Sequence, residues 1–370
     1  VSRRPVGILG ATGVAGRAAL SVLAQHPWFE VVAVAGSTGN AGRTLGAVAD
    51  ERLDGELDIA QRLGARTAPA PTPLPDALRE LRLVDAATLE VGGLDAVFSM
   101  LPTAPAREIE ARCAETTPVI STAAAWRMDP DTPLLMAGVN PSHAALLDVQ
   151  QRARGWRGYI APNPNCTTVG LVVPLAPIAR AFGVSSVTLT SMQAVSGAGN
   201  NAPAVADAVA GNVLPWIANE EEKVSTETRR ILGRVEDGAI LPLEVPVGAT
   251  CTRVAVPDGH LLSVSVGLDR PAAASDVAEL LANENPWRGR TLPSCPERWI
   301  EVRAEPDRPQ PALDRDAGGG LTTVVGRLRA DPVSGGIAFL VLSHNTVLGA
   351  AGGAVLLAED LSDRGLLPER

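Results

Sequence analysis

Lysine is almost missing from this 370-residue chain: of 32 basic residues, only Lys223 is one. A basic excess is missing too. The formal net charge is −9 and the pI about 5.1, which disfavours a sequence-independent nucleic-acid binder or an anionic-membrane binder. No apolar run reaches the ~18 residues of a membrane span. The four cysteines, Cys113, Cys166, Cys251 and Cys295, are scattered and form no CxxC pair. Neither a metal site nor a disulfide framework is signalled, and a reducing cytoplasm fits. No heptad, collagen period or internal repeat is visible. What is present is a 46% hydrophobic composition, enough for about two domains with their own cores. Ser2-Arg3-Arg4 reads as a charged lead-in to a first strand rather than an export signal, because Gly10, Gly13 and Gly16 break the stretch behind it. For Lys223 two readings stay open: codon bias with chance survival, or a position that needs a compact ammonium.

Residues 5–9 read as a buried strand, followed by Gly10-Ala11-Thr12-Gly13-Val14-Ala15-Gly16, a helix over 17–25 and a strand over 31–35. This order is that of a dinucleotide-binding βαβ unit, though the spacing is GxxGxxG rather than GxGxxG. The proline-rich 69–75 segment reads as a surface loop. A strand over 94–101, a helix over 104–114 and a strand over 118–121 continue the alternation and imply a mostly parallel sheet ending near Ala161. Beyond residue 185 the rhythm is that of an α+β unit. Strands are expected over 187–195, 322–328 and 337–342, and a hairpin of 252–256 with 262–268 around Pro257-Asp258-Gly259. Residues 305–320 read as a loop and 346–361 as a final helix.

Asn163-Pro164-Asn165-Cys166-Thr167-Thr168 looks like a helix start, with Pro174 and Pro177 expected to kink or shorten the helix. A cysteine in that first turn faces unpaired N–H groups, so its pKa is expected to fall below the free value of ~8.5. The same N–H groups, around Cys166 and Thr167, would supply an oxyanion site. The alternative for Cys166 is a small core residue, the reading that fits Cys113, Cys251 and Cys295. Of four histidines, His26 and His143 read as solvated, and His344 precedes the last helix. His260, after the Pro-Asp-Gly turn, is the best-placed acid/base partner. Hairpin pairing would bring Arg253 beside it.

These residues together resemble the aspartate-β-semialdehyde dehydrogenase family, in its archaeal and fungal branch. The signatures are LGATGVAG (9–16), RMDPDTPL (127–134), NPNCTT (163–168), QAVSGAG (193–199), EEEK (220–223), CTRVAVPDGH (251–260), RDAGGG (315–320) and HNTVLGAAG (344–352), in family order. The resemblance implies a Rossmann-type α/β domain (1–161 with 345–370) and an α+β catalytic and dimerisation domain (162–344). It implies Cys166 as nucleophile, Gln193 beside it, and His260 as general acid/base. Arg253 would bind the substrate α-carboxylate, Glu220 its α-ammonium, and Arg127 and Lys223 the phosphate. Gly10, Thr12, Gly13 and Val14 would hold the cofactor, and Asn345 its carboxamide. The implied reaction is NADPH-dependent reduction of L-aspartyl 4-phosphate to the semialdehyde through a cysteine thioester, in a homodimer or homotetramer.

The chain departs from the family in places. Gly39 stands where an arginine of the 2′-phosphate loop is usual, and Arg43 where a lysine is. Ser37 and Arg43 remain to hold that phosphate, and no acidic residue ends the second strand. NADP is therefore the expected cofactor, with NAD left open. Thr122, Ala137-Gly138 and Asn200-Asn201 also replace usual family residues, which leaves a related acyl phosphate or an acyl-CoA as the alternative substrate.

Overall fold

The computed structural model describes residues 3–51, 63, 74 and 76–368. The expected proline-rich loop therefore lies outside the described residues except for Leu74. The first sheet contains β1 (Arg4–Leu9), β2 (Phe29–Gly36), β3 (Leu83–Asp85), β4 (Ala96–Ser99), β5 (Val119–Ser121) and β6 (Ile160–Pro162). All pair in parallel in the order β3-β2-β1-β4-β5-β6. That is the doubly wound arrangement, whose strand order reverses between β1 and β4 and opens a crevice there. Helices α1 (Val14–Leu23) and α2 (Thr103–Ala114) follow β1 and β4. Residues such as Val6, Ile8, Ala96 and Phe98 are fully buried, as a sheet covered on both faces requires.

After α3 (Ala145–Arg154) and β6 comes α4 (Cys166–Phe182), then β7 (Ser186–Gln193), α5 (Ala202–Val209) and α6 (Glu220–Ile231). A small hairpin, β8 (Arg234–Glu236) with β9 (Ala239–Leu241), stands alone. The second large sheet adds β10 (Val247–Arg253), β11 (His260–Gly267), β12 (Ile300–Arg303), β13 (Thr323–Asp331) and β14 (Gly336–Ser343), in the order β10-β7-β11-β14-β13-β12. It mixes parallel and antiparallel pairs.

Three expectations are corrected here. First, 252–256 and 262–268 form no hairpin: β7 lies between β10 and β11. The connection over 254–259 is long enough to step across one strand. It bonds to the end of β7, with Val254 N donating to Gln193 O and Val195 N to Val256 O. Turn-forming residues thus fix a bend, not a pairing. Second, Pro174 and Pro177 do not stop α4, which runs 17 residues through both. Its residues from Thr167 to Ile178 are all buried, and that packing offsets the lost hydrogen bonds. Third, His26 and His143 are buried rather than solvated. His26 Nδ1 accepts from the N–H groups of Trp28 and Phe29 while Nε2 meets Glu359 at 2.7 Å. His143 lies between Asn140 and the carbonyl of Gly233.

The expected last helix begins with a π-helical turn, Val347–Ala351, before α7 (Gly352–Asp363). Its C-terminal end is fastened to the first sheet: Tyr159 Oη donates to Leu366 O, and Arg4 to Pro368 O.

Candidate active site

Gly10 follows β1 with φ +73°, and a Cβ there would stand 2.6 Å from Met100 O, just after β4. A Cβ on Gly16 would fall 2.1 Å from Gly10 O, so the loop and α1 close together only because both residues are glycine. Gly13 caps α1 without any side-chain bond, leaving Val14 and its neighbours at an uncapped helix N-terminus. Thr12 is buried in the same turn. Ser37 and Arg43 lie beyond β2; Arg43 pairs with Glu51 and also donates to Asn40.

A cleft of about 770 Å³ runs from Leu101–Thr103, just after β4, to Cys166, with Thr122, Arg127, Glu220, Lys223 and Arg253 in its lining. Asn165 caps α4: its Oδ1 accepts from the N–H groups of Thr167 (2.8 Å) and Thr168 (3.2 Å). The Thr167 N–H thus serves the cap while it also faces the Cys166 sulfur. Gly349, in the π-helical turn, backs the cysteine so closely that a Cβ would reach its Cβ at 2.8 Å.

Cys166 Sγ lies 3.4 Å from His260 Nε2. His260 Nδ1 accepts from the Ala194 N–H at 3.1 Å, which assigns the ring proton of the neutral imidazole to Nε2, facing the sulfur. Ala194 O in turn accepts from Arg253 Nη1 at 2.7 Å. One residue therefore holds the imidazole and the guanidinium together, across β7 rather than through a hairpin.

The expected low thiol pKa is corrected. Burial pushes Cys166 up to about 12, Glu220 adds to this, and Arg253, Arg127 and the Thr167 amide pull against it. Burial also drives His260 well below the ordinary histidine value, with help from Arg253 and His344. The unliganded pair is therefore a neutral thiol beside a neutral ring.

Helix α6 supplies the opposite wall. Glu220 Oε1 accepts from Asn165 Nδ2 at 2.8 Å, and from Thr167 Oγ1 and Gln193 Nε2 at 3.4 Å. Gln193 is thus turned to Glu220 and Ser191. Lys223 Nζ stands 3.8 Å from Glu220 with its side chain 38% exposed. Arg127 is buried, donating to Thr122 O (2.7 Å) and Glu227 Oε1 (3.0 Å), while its Nε has no hydrogen-bond partner. Asn345 is buried farther along, accepting from Gly259 N–H and donating to Ser196 Oγ.

Glu227 is the residue that sequence reading missed. Its second oxygen accepts the Asn165 N–H at 2.7 Å, so it joins Arg127 to the start of α4. The signal was there: Glu220, Lys223 and Glu227 stand at i, i+3 and i+7 on one helical face.

Comparison with known proteins bears on the family and the fold. Residues 5–147 match the family model "Semialdehyde dehydrogenase, NAD binding domain", and 175–348 match "Semialdehyde dehydrogenase, dimerisation domain". Aspartate-semialdehyde dehydrogenase of Methanothermobacter thermautotrophicus is 40% identical over 97% of this chain and 99% of its own. That of Cryptococcus neoformans is 38% identical over 99% and 100%. The crystal structure of the Candida albicans enzyme with NADP matches with a TM-score of 0.84 at 33% identity, covering 99% of this chain and 100% of that one. With two family models and near full-length relatives from archaea and fungi, the chain belongs to the aspartate-semialdehyde dehydrogenase family of oxidoreductases, in its archaeal and fungal branch.

Proposed function

We propose that the chain catalyses the NADPH-dependent reductive dephosphorylation of L-aspartyl 4-phosphate to L-aspartate 4-semialdehyde, through a thioester on Cys166. The observation that carries this reading is the Cys166–His260 contact of 3.4 Å in a cleft lined by Arg127, Lys223, Arg253 and Glu220. One sulfur, two cations for a leaving phosphate and a third for a carboxylate match an acyl phosphate bearing an amino-acid head group.

The dinucleotide fits the crevice between β1 and β4. Gly10 and Gly16 let the backbone close in, and the uncapped start of α1, at Gly13 and Val14, offers N–H groups to a pyrophosphate. Ser37 and Arg43 would hold the 2′-phosphate that distinguishes NADP, Thr12 would line the turn, and Asn345 would meet the carboxamide. When bound, the nicotinamide supplies the hydride.

The protein does the rest. Arg253 takes the α-carboxylate and Glu220 the α-ammonium, which places the acyl carbon over Sγ, with Gln193 setting Glu220. Arg127 and Lys223 neutralise the departing phosphate, worth several kcal/mol in a water-poor site. The sulfur attacks as thiolate: the C–S bond forms as the bond from the acyl carbon to phosphate oxygen breaks, and the proton that burial retains in the empty cleft leaves with the phosphate. His260 presents Nε2–H to the sulfur, stabilising it when it ionises and again when the thiohemiacetal expels it. The functional units are 1–161 with 345–370 and 162–344, and the dimerisation domain makes a homodimer or homotetramer the expected assembly.

The test is the reverse reaction: aspartate semialdehyde, phosphate and NADP⁺, following NADPH absorbance. Phosphate-dependent turnover is expected. Equal turnover without phosphate, or with coenzyme A in its place, would overturn the reading.

A further inference from the structure

Among the described residues, two acids outside the reacting set are fully buried: Glu359, which meets His26, and Glu110, in the inner face of α2. Its Oε1 accepts the Ser121 Oγ–H at 2.6 Å, and Ser121 Oγ accepts the Ala123 N–H at 3.0 Å. Between them lies Thr122, whose carbonyl accepts from Arg127. Thr122, Ala123, Ala124 and Arg127 all line the cleft. The carboxylate therefore grips, from behind, the turn that carries Arg127 into the cleft. Glu110 itself touches nothing in it. Ser99 Oγ stands near the carboxyl and pulls its pKa down, and neither it nor Oε2 makes a closer hydrogen bond. A half-satisfied buried carboxyl is costly, and the packing of α2 against the sheet does not call for one.

From this relay we infer that Glu110 is a positioning residue for phosphate binding, acting through Ser121 and the 122–127 turn on Arg127. The inference rests on the phosphorylating reading of the cleft. The groups around Glu110 are few. Arg127 faces it from the turn, and Cys113 from its own helix. Strands β4 and β5 present the neutral Ser99 and Ser121. Strand β6 (Ile160–Pro162) and the turn at Ala124–Trp126 carry no titratable side chain. Burial lifts Glu110 to about 7, against the pull of Ser121, Ser99 and Arg127. The carboxyl thus changes charge near neutral pH. When neutral, it leaves the positive field of Arg127 intact. When ionised, it subtracts from that field, so phosphate binds more weakly as pH rises through 7.

The experiment is the KM for inorganic phosphate in the reverse reaction between pH 5.5 and 9, for wild type, Glu110→Gln and Ser121→Ala. Glutamine stands for the neutral carboxyl. Phosphate's own ionisation is common to all three proteins and cancels in ratios. The wild-type to Glu110→Gln ratio of KM is expected near one below pH 6, and about three- to tenfold above pH 8, with a midpoint near 7 and little change in kcat. Ser121→Ala keeps the carboxyl but cuts the relay, and should raise the phosphate KM severalfold at every pH. A flat ratio, or a loss in kcat without a KM change, would overturn the inference. If Glu110→Gln fails to fold, Ser121→Ala decides: an unchanged KM sinks the relay. Absent phosphate-dependent turnover in wild type would instead mean that the reading of the cleft itself is wrong.

Discussion

The sulfur end of the cleft and the loop beyond β2 are built differently. At the sulfur end nearly every polar side chain is already bonded to another. Asn165 spans Thr167, Thr168 and Glu220, the backbone of Ala194 holds both His260 and Arg253, and Glu227 joins Arg127 to the Asn165 N–H. In the loop, Arg43 stands at the surface with Glu51 and Asn40 as partners, and a Cβ on Gly39 would meet no atom within 4 Å. Lys223 belongs in character to the second kind: its side chain is 38% exposed, whereas that of Arg127 is 8% exposed. In the proposed function, the fixed groups would hold the reacting atoms, and the looser ones would meet phosphates that must enter and leave. Geometry is held where the chemistry needs it and left adaptable where it needs only charge.

Substitutions should sort along this contrast. Cys166→Ala is expected to lower kcat by at least about 10⁴-fold, with cofactor affinity measured by fluorescence titration nearly unchanged. Glu227→Ala comes next. It leaves Arg127 buried without its carboxylate and the Asn165 N–H without an acceptor, a loss of about 3–5 kcal/mol of stability read from denaturant unfolding. An unfolding midpoint unchanged by Glu227→Ala would show that the sulfur end is not prearranged.

The third prediction concerns pH. Because burial and Glu220 raise the Cys166 thiol, the thiolate fraction should climb with pH. Iodoacetamide alkylation of Cys166, followed by peptide mapping, is expected to rise about tenfold per pH unit from 7 to 9 without a plateau. Glu220→Gln removes one raising cause and should speed alkylation at pH 8. A plateau below pH 8 would restore the lowered pKa that the helix start alone suggests. The smallest effect is at the loose end: Arg43→Ala should weaken NADP binding about tenfold, leave kcat intact and leave the melting temperature unchanged.

Much of this was legible in the chain. The glycine turn, Cys166 in a first helical turn and the parallel alternation follow from local rules, and the only lysine falls at the cleft. What escaped was non-local. The β7 insertion between β10 and β11 depends on which strand edges are free, and the Pro-Asp-Gly turn carries no trace of it. The helix through Pro174 and Pro177 survives by burial on all sides. His26 and His143 were misread because their partners, Glu359 and Gly233, lie far along the chain. The thiol shift reverses for the same reason. A helix N-terminus is visible in sequence, but the desolvation that outweighs it is not.

The most direct measurement is mass spectrometry of enzyme mixed with semialdehyde and NADP⁺, without phosphate, and quenched in acid. The expected result is one aspartyl group on the Cys166 peptide, formed with one equivalent of NADPH and discharged when phosphate is added. NADPH production with an unmodified Cys166, or an adduct on another residue, would contradict acyl transfer to that sulfur.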